Sequence, residues 1–391
     1  MEYVRAPRAP QRAVRQPDRQ APQRGGTGRG RRRRRASRLL LLIGLLLAAA
    51  AAAVAAYVLL FAERERTVSM TATPLTAGVT RLNTGSGLLY QTEGHIHYYD
   101  WNDQGRNYTE GTATEDIRMS GSTFLSVVYT PTMLQIVGQE QPVAFTGEVL
   151  SVECGREHIA VLRRDSEGGE SILVLSATGE QVDQLLPDDQ YIVDFGFYTT
   201  TGEMLWMQTI SSASGTPTTR ITTYDLQRRT GVGVMQVQDQ LIDGLYFTEN
   251  SVFAAGTSQI IRYTHDGNKE IYREMVYGYR VLDFSAASGT PTFLLAPRDG
   301  DMYAVKLLTL SEGDTPEAVE THLQLPSEGV AGYIMNGALV VVAREKLYTY
   351  SLRGSLSSTA TLELPVDEAE KLSDTMLLLL SGGAYYTAKV R

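Results

Sequence analysis

From Val68 onward the chain alternates short runs rich in Val, Ile, Thr, Tyr and Leu with clusters of Gly, Asp, Asn and Pro. Such runs predict β-strands joined by turns. No helical periodicity extends beyond about two turns there; only residues 315–321 and 367–372 look helical, and both read as short connections. Asp266-Gly267, Asn336-Gly337 and Asp299-Gly300 predict tight hairpin turns, because such pairs tolerate positive φ. One stretch breaks this pattern. Leu39 to Ala62 is apolar and uncharged throughout, and a helix of that length spans about 36 Å against a hydrocarbon core of roughly 30 Å. It predicts a transmembrane helix. A cleaved signal is the competing reading, since Ala48 to Ala53 offers small-x-small triplets, but a signal core usually holds only about 7 to 15 residues.

The strand pattern repeats. Anchors at Tyr98, Leu134, Leu173, Thr222, Ile261, Tyr303, Tyr348 and Tyr385 are separated by 36, 39, 49, 39, 42, 45 and 37 residues. A period of about 40 to 45 residues with room for four short strands is the signature of a β-propeller, in which each blade buries its faces against its neighbours. A second partial repeat, Tyr191 to Phe195, Leu241 to Gly244 and Arg280 to Phe284, places an Asp before an aromatic or Gly and suits an innermost strand. The final unit, from about Leu372, is too short for four strands, while residues 67–75 form an extended segment with no unit of their own. The two together complete one blade and remove the open edges. The fold class is therefore all-β, a β-propeller of eight blades, with seven the alternative. The interval from Leu173 to Thr222 reads as one blade with a long hairpin around Ser211 to Thr218.

Charge divides the chain. Residues 1–38 carry thirteen arginines against Glu2 and Asp18, a formal +11, so residues 39–391 carry −19 of the overall −8. The tail has too few apolar side chains to offset its ordering entropy and is expected to be disordered. Arg31, Arg32, Arg33, Arg34, Arg35 and Arg38 abut the apolar run and orient it by the positive-inside rule. The expected layout is a cytoplasmic tail (1–38), a transmembrane helix (39–62) and an extracytoplasmic propeller (63–391), that is, a type II single-pass protein of the cell membrane. Tethered arginines favour anionic inner-leaflet lipids. With Tyr3 the tail's only aromatic, base stacking has little support, and the acidic remainder disfavours nucleic acid and other polyanions.

Candidate chemistry is sparse. Cys154 is the only cysteine, so an internal disulfide is excluded and a buried, inert thiol is expected. His95 and His97 share one strand face, as a metal pair would, but no third ligand is identifiable. Asp299-Gly300-Asp301 is a fragment of a calcium loop that lacks the other oxygen ligands and reads as a turn. Ser-Gly-Thr-Pro-Thr occurs at 214–218 and 288–292, at positions expected to lie on different hairpins. Asp188 and Asp189 are adjacent, so in extended chain they face apart, unlike an acid/base pair. Neither a Gly-x-Ser-x-Gly elbow nor a Ser-x-x-Lys motif with partners is present, and no cofactor is expected. Tyrosine is abundant, with 21 residues. Most pack blades, and an exposed subset suits a peptide or glycan platform.

These repeats resemble quinoprotein-like and WD40-like propellers, and the layout is similar to uncharacterised single-pass proteins of Gram-positive bacteria. The Trp-Asp dipeptides of WD40 repeats are absent and Gly94-His95 is a lone match, while Trp101 and Trp206 are the only tryptophans. No site residue is carried over. The expected function is a binding or scaffolding module at the cell envelope whose ligand is a protein, peptide or glycan, not an enzyme. Two alternatives stand beside it: a glycan-active envelope enzyme built on the propeller, and a sensor signalling through the basic tail.

Overall fold

The computed structural model describes residues 44–52 and 66–391, apart from 112–116, 188–190, 200–201, 212–214, 239, 288, 301, 314–315 and 391. Residues 44–52 are helical and exposed. Among the described residues no helix is long and apolar enough to cross a membrane. The rest of the predicted span, and Arg31 to Arg38, lie outside the described residues.

Residues 66–391 fold into eight antiparallel sheets in chain order. Blades one to seven occupy residues 81–111, 118–144, 148–185, 191–238, 242–275, 279–324 and 329–362, four strands each. Blade eight takes three strands from residues 368–389 and its fourth from the start of the chain. That fourth strand, Met70–Thr76, pairs antiparallel with Ala384–Lys389, the third strand of the blade. A further strand, Arg66–Val68, runs parallel to the outermost strand of blade seven. The first segment of the domain therefore edges two blades. This is an eight-bladed β-propeller closed in the way the orphan segment predicted.

The blade repeat has a physical origin in the strands' burial. Second strands are almost continuously apolar and buried, as in Ser251–Gly256 and Met376–Ser381, because both faces of a central strand are covered; third strands mix buried and half-buried positions, as in His95–Asp100 and Lys346–Ser351. Fourth strands alternate, as in Thr230–Gln238, since one face meets solvent. First strands of successive blades pack against one another around the axis. Six of the eight carry a bulge near one end, including those at Val193, Asp243 and Leu282, where the sheet turns sharply.

Each of the eight junctions between blades has its own apolar cluster. The closing junction is built like the others: Leu75, Leu88, Tyr90 and Tyr99 pack against Leu372, Leu378 and Tyr385.

Seven of the eight sequence anchors lie within third strands, and Tyr303 immediately precedes one, Ala304–Leu310. The long interval is indeed a single blade, the fourth, whose strands run to eight or nine residues. The two helix-like segments are strands instead: Ala318–Gln324 edges blade six and Glu368–Ser373 is the innermost strand of blade eight. Pairing overrides the helical preference of their Glu, Ala and Lys residues. Of the three predicted pairs, only Asn336-Gly337, at φ 50° and 71°, forms a two-residue hairpin. Asp266-Gly267 sits in a longer turn, and Asp299-Gly300 belongs to the six-residue connection between Thr292–Pro297 and Ala304–Leu310.

Leu75, on the closing strand, is 1% exposed. Leu75→Ala is expected to lower unfolding free energy by about 2 to 4 kcal/mol in urea titration, whereas Leu356→Ala on an open rim stays within about 0.5 kcal/mol. Equal effects would mean that closure contributes no more than a surface contact.

Candidate functional site

In each blade, the hairpin between second and third strands and the connection to the next blade emerge at the same end, so they build one face of the ring. Among the described residues, eight exposed large apolar side chains lie there: Met133, Leu186, Tyr191, Leu241, Met275, Tyr277, Tyr303 and Leu364. Toward the opposite face lie Phe124 and, at the near ends of outermost strands, Tyr108, Ile271, Val319 and Leu356. Val193 on an inner strand and Val234 on an outermost one complete the exposed apolar side chains of the propeller among the described residues. Scattered apolar exposure is ordinary, but concentration on one face marks an interaction surface.

The loops that carry these residues are held in place. Tyr277, 80% exposed, tops a turn closed by the Tyr279 amide donating to the Val276 carbonyl at 2.9 Å. Gly278 at φ +82° allows that turn. Arg298 donates its amide to the Gly278 carbonyl at 2.9 Å, and Leu325 donates to the Tyr303 carbonyl at 2.7 Å. Thr257 does the same to the Leu241 carbonyl at 3.0 Å. Tyrosines fixed this way present large amphipathic area with little left to order on binding.

A depression of about 780 Å³ opens on the opposite face, where the inner strands of blades four to six end. Its aromatic rings are occupied with one another: Tyr198 stacks on Phe247 at 4.3 Å and Tyr246 leans on Phe284 at 5.1 Å. Thr248 donates to Glu312 across its edge at 2.5 Å.

Several half-buried charges on the inner strands are paired between blades. Lys371 of blade eight reaches Asp283 of blade six at 3.1 Å and the Ile334 carbonyl of blade seven at 2.7 Å. Asp283 in turn accepts from the Ile334 amide at 2.7 Å, so three blades share one network. Arg81 of blade one meets Glu370 at 2.9 Å, and Arg298 pairs with Asp243. Between blades three and four, His158 Nδ1 lies 2.7 Å from the Glu203 carboxylate, which also accepts the Arg156 and Glu157 amides. Burial pushes the Glu203 pKa up, but these hydrogen bonds outweigh it and leave it below the ordinary value.

Glu153 and Asp194, on adjacent inner strands, are the exception. Desolvation raises both, and the neighbouring Asp194 charge adds to it at Glu153, which rises to about 7. Of the three repeated aspartates, therefore, Asp243 and Asp283 are blade-to-blade pairs, and Asp194 instead faces a second acid. No sequence signal marked Glu153, whose partner lies 41 positions away.

Other predicted sites have structural roles. Cys154 is buried, and desolvation pushes its thiol to about 12. His97 is held between Thr92 at 2.8 Å and Thr109 at 2.9 Å and stacks on Tyr90; the His95 ring lies 6.3 Å away. Among the described residues no group of three His, Cys, Asp or Glu side chains is placed to hold a metal ion. The two Ser-Gly-Thr-Pro-Thr copies lie on different hairpins, one in each face. Asp188, Asp189 and Asp301 lie outside the described residues.

Neither protein-family models nor curated proteins match the chain. Solved structures do. The WD40 domain of SCAP from fission yeast superposes with a TM-score of 0.56 and 8% identity, covering 82% of this chain and 98% of that one. The C-terminal WD40 domain of Sif2 gives 0.51 and 11%, covering 83% and 97%. BamB from Moraxella catarrhalis gives 0.48 and 13%, covering 82% and 100%. At these identities the likeness to SCAP and Sif2 is one of propeller fold.

The Glu153 carboxyl binds its proton more tightly folded, at about 7, than at its ordinary 4.5. Its contribution to stability is thus present below about pH 4.5 and lost as pH rises through about 7. Solvent reaches the group, which keeps the energy small. Thermal melts from about pH 5 to 8 should show Glu153→Gln losing less stability than the parent; parallel curves would contradict the assigned shift.

Proposed function

We propose that this chain is a single-pass membrane protein whose extracytoplasmic propeller binds or scaffolds a protein or peptide at the cell envelope, through the face that carries Tyr191, Tyr277 and Tyr303. The observation that carries the reading is the concentration of exposed apolar side chains on that face, which has eight of the fifteen among the described residues of the propeller. The propeller architecture, whose rigid ring displays many loops together, suits such a role. The membrane part of the proposal rests on the sequence: the apolar run from Leu39 to Ala62, and Arg31 to Arg35 with Arg38 beside it. The same arginines would meet anionic inner-leaflet lipids.

A second reading has one observation in its favour. Glu153, near neutrality beside Asp194, has the titration of a general acid, and a glycan-active enzyme would use such a pair. Against it, the five histidines lie elsewhere, at positions 95, 97, 158, 265 and 322. Loss of glycan turnover in Glu153→Gln with the loop face intact would favour the enzyme.

Topology is open to direct labelling, because Cys154 is buried and gives little background. In intact cells a membrane-impermeant maleimide should modify Ser357→Cys on the propeller rim but not Gly26→Cys in the tail; the reverse pattern would overturn the orientation. A photo-crosslinking residue at position 277 should capture a discrete partner that one at Val319 does not. Tyr191→Ser with Tyr303→Ser should weaken that capture about tenfold or more at unchanged melting temperature. Equal capture at 277 and 319 would remove the loop face as the docking surface.

A further inference from the structure

We infer that the groove between blades three and four is a subsite for an acidic residue of a peptide partner, with Arg220 as its receptor. This rests on the loop-face reading above and names the chemistry of the partner.

The groove follows from unequal strand lengths. The second and third strands of blade four, Glu203–Ser211 and Thr218–Asp225, are nine and eight residues long, against seven, seven and five for the second to fourth strands of blade three. Leu205, Met207 and Tyr224 pack against blade three, in part on Leu185. Beyond them the longer blade has no neighbour to cover it, which leaves a cleft of about 230 Å³ between Leu186 and Pro187 on one side and Met207, Arg220, Thr222 and Tyr224 on the other. Leu186 is 69% exposed and belongs to the loop face, so the cleft opens onto that face.

Arg220 is the unusual group in it. Its Nε is shut off from water and has no hydrogen-bond partner, and among the described residues its guanidinium makes no ion pair. The cations on the third strands of the next two blades are engaged, although Arg262 faces the following blade rather than the preceding one. Arg262, in the third strand of blade five, donates to Ser251 Oγ at 2.9 Å, the Glu312 carbonyl at 2.8 Å and the Ser311 carbonyl at 3.2 Å. Lys306, in the third strand of blade six, meets Glu320 at 2.6 Å. Asp183, on the fourth strand of blade three, already accepts the Tyr224 hydroxyl at 2.6 Å. Among the described residues, Arg220 is therefore a half-buried, planar fork of donors with no acceptor of its own.

A carboxylate fits that fork in a bidentate way, and the partly desolvated setting strengthens the contact. Leu186, Pro187 and Met207 beside it suit an apolar neighbour of the acid, which describes an extended peptide with an Asp or Glu flanked by an aliphatic residue. A polyanion is disfavoured by the −19 carried by residues 39–391, which repels a charged chain but admits a single acid.

The test uses the full chain in detergent micelles and a phage-displayed library of random dodecapeptides. Selection on the parent should enrich Asp or Glu at one position next to an aliphatic residue. The synthetic consensus should bind Arg220→Gln about tenfold more weakly or worse, and its Asn or Gln counterpart should bind parent and variant alike. Arg220→Lys should restore part of the affinity, and melting curves should coincide. Absence of an enriched acid, or a consensus that binds Arg220→Gln as it binds the parent, overturns the assignment. The two readings fail separately. A cellular adduct at position 277 that Arg220→Gln leaves unchanged sinks the subsite alone. Peptides that bind through Arg220, with no adduct in cells, sink the loop-face reading alone.

Discussion

Everything in the propeller depends on one ladder, the antiparallel pairing of Met70–Thr76 with Ala384–Lys389. A blade is a twisted four-stranded sheet with two apolar faces, and neither can be left in water. Seven junctions place blades side by side along the chain, but the faces left over at the ends of that array are satisfied only when the array becomes a ring. The closing junction therefore stabilises more than its own contacts, because without it blades one and eight each expose a face. The extra strand Arg66–Val68, laid along blade seven, spreads the closure over two neighbours.

Against this apolar frame the polar groups divide by whether the ring has partnered them. The Asp283, Ile334 and Lys371 network and the Glu203 cluster cross junctions and fix how one blade sits on the next. Buried pairs of this kind add little net stability compared with apolar packing, yet they penalise any other arrangement of the blades. The groups outside this scheme are few: the Glu153 and Asp194 acids, the Arg220 guanidinium and the tyrosines of the loop face. Self-contained folding gives no account of them, which is why function is sought there.

The sequence carried the fold further than the site. Third strands, rich in aromatic and aliphatic residues, recur visibly, so Tyr98, Leu173 and Tyr348 marked their blades, and the unpaired segment before the first repeat marked the closing strand. Glu368–Ser373 was read otherwise because its Glu, Ala and Lys residues favour a helix, and only the neighbouring Met376–Ser381 makes it a strand. The loop face was invisible because exposure at Tyr277 or Tyr303 depends on which end of a blade a turn occupies. Arg220 was harder still, since its significance is the lack of a partner. Blade three's shorter strands create that lack, and no local pattern around Arg220 records it.

The order of synthesis gives the closing strand a kinetic consequence. Thr73 donates to the Tyr385 carbonyl across 312 positions, so an early strand of the propeller waits for one made 312 residues later. At translation rates of about 5 to 20 residues per second the wait is roughly 15 to 60 s. Through that interval the edge of every finished blade stack stays open and sticky. Such a chain profits from a chaperone or from confinement during assembly, and a ribosome stalled within the last blade leaves a product with no closed form to reach.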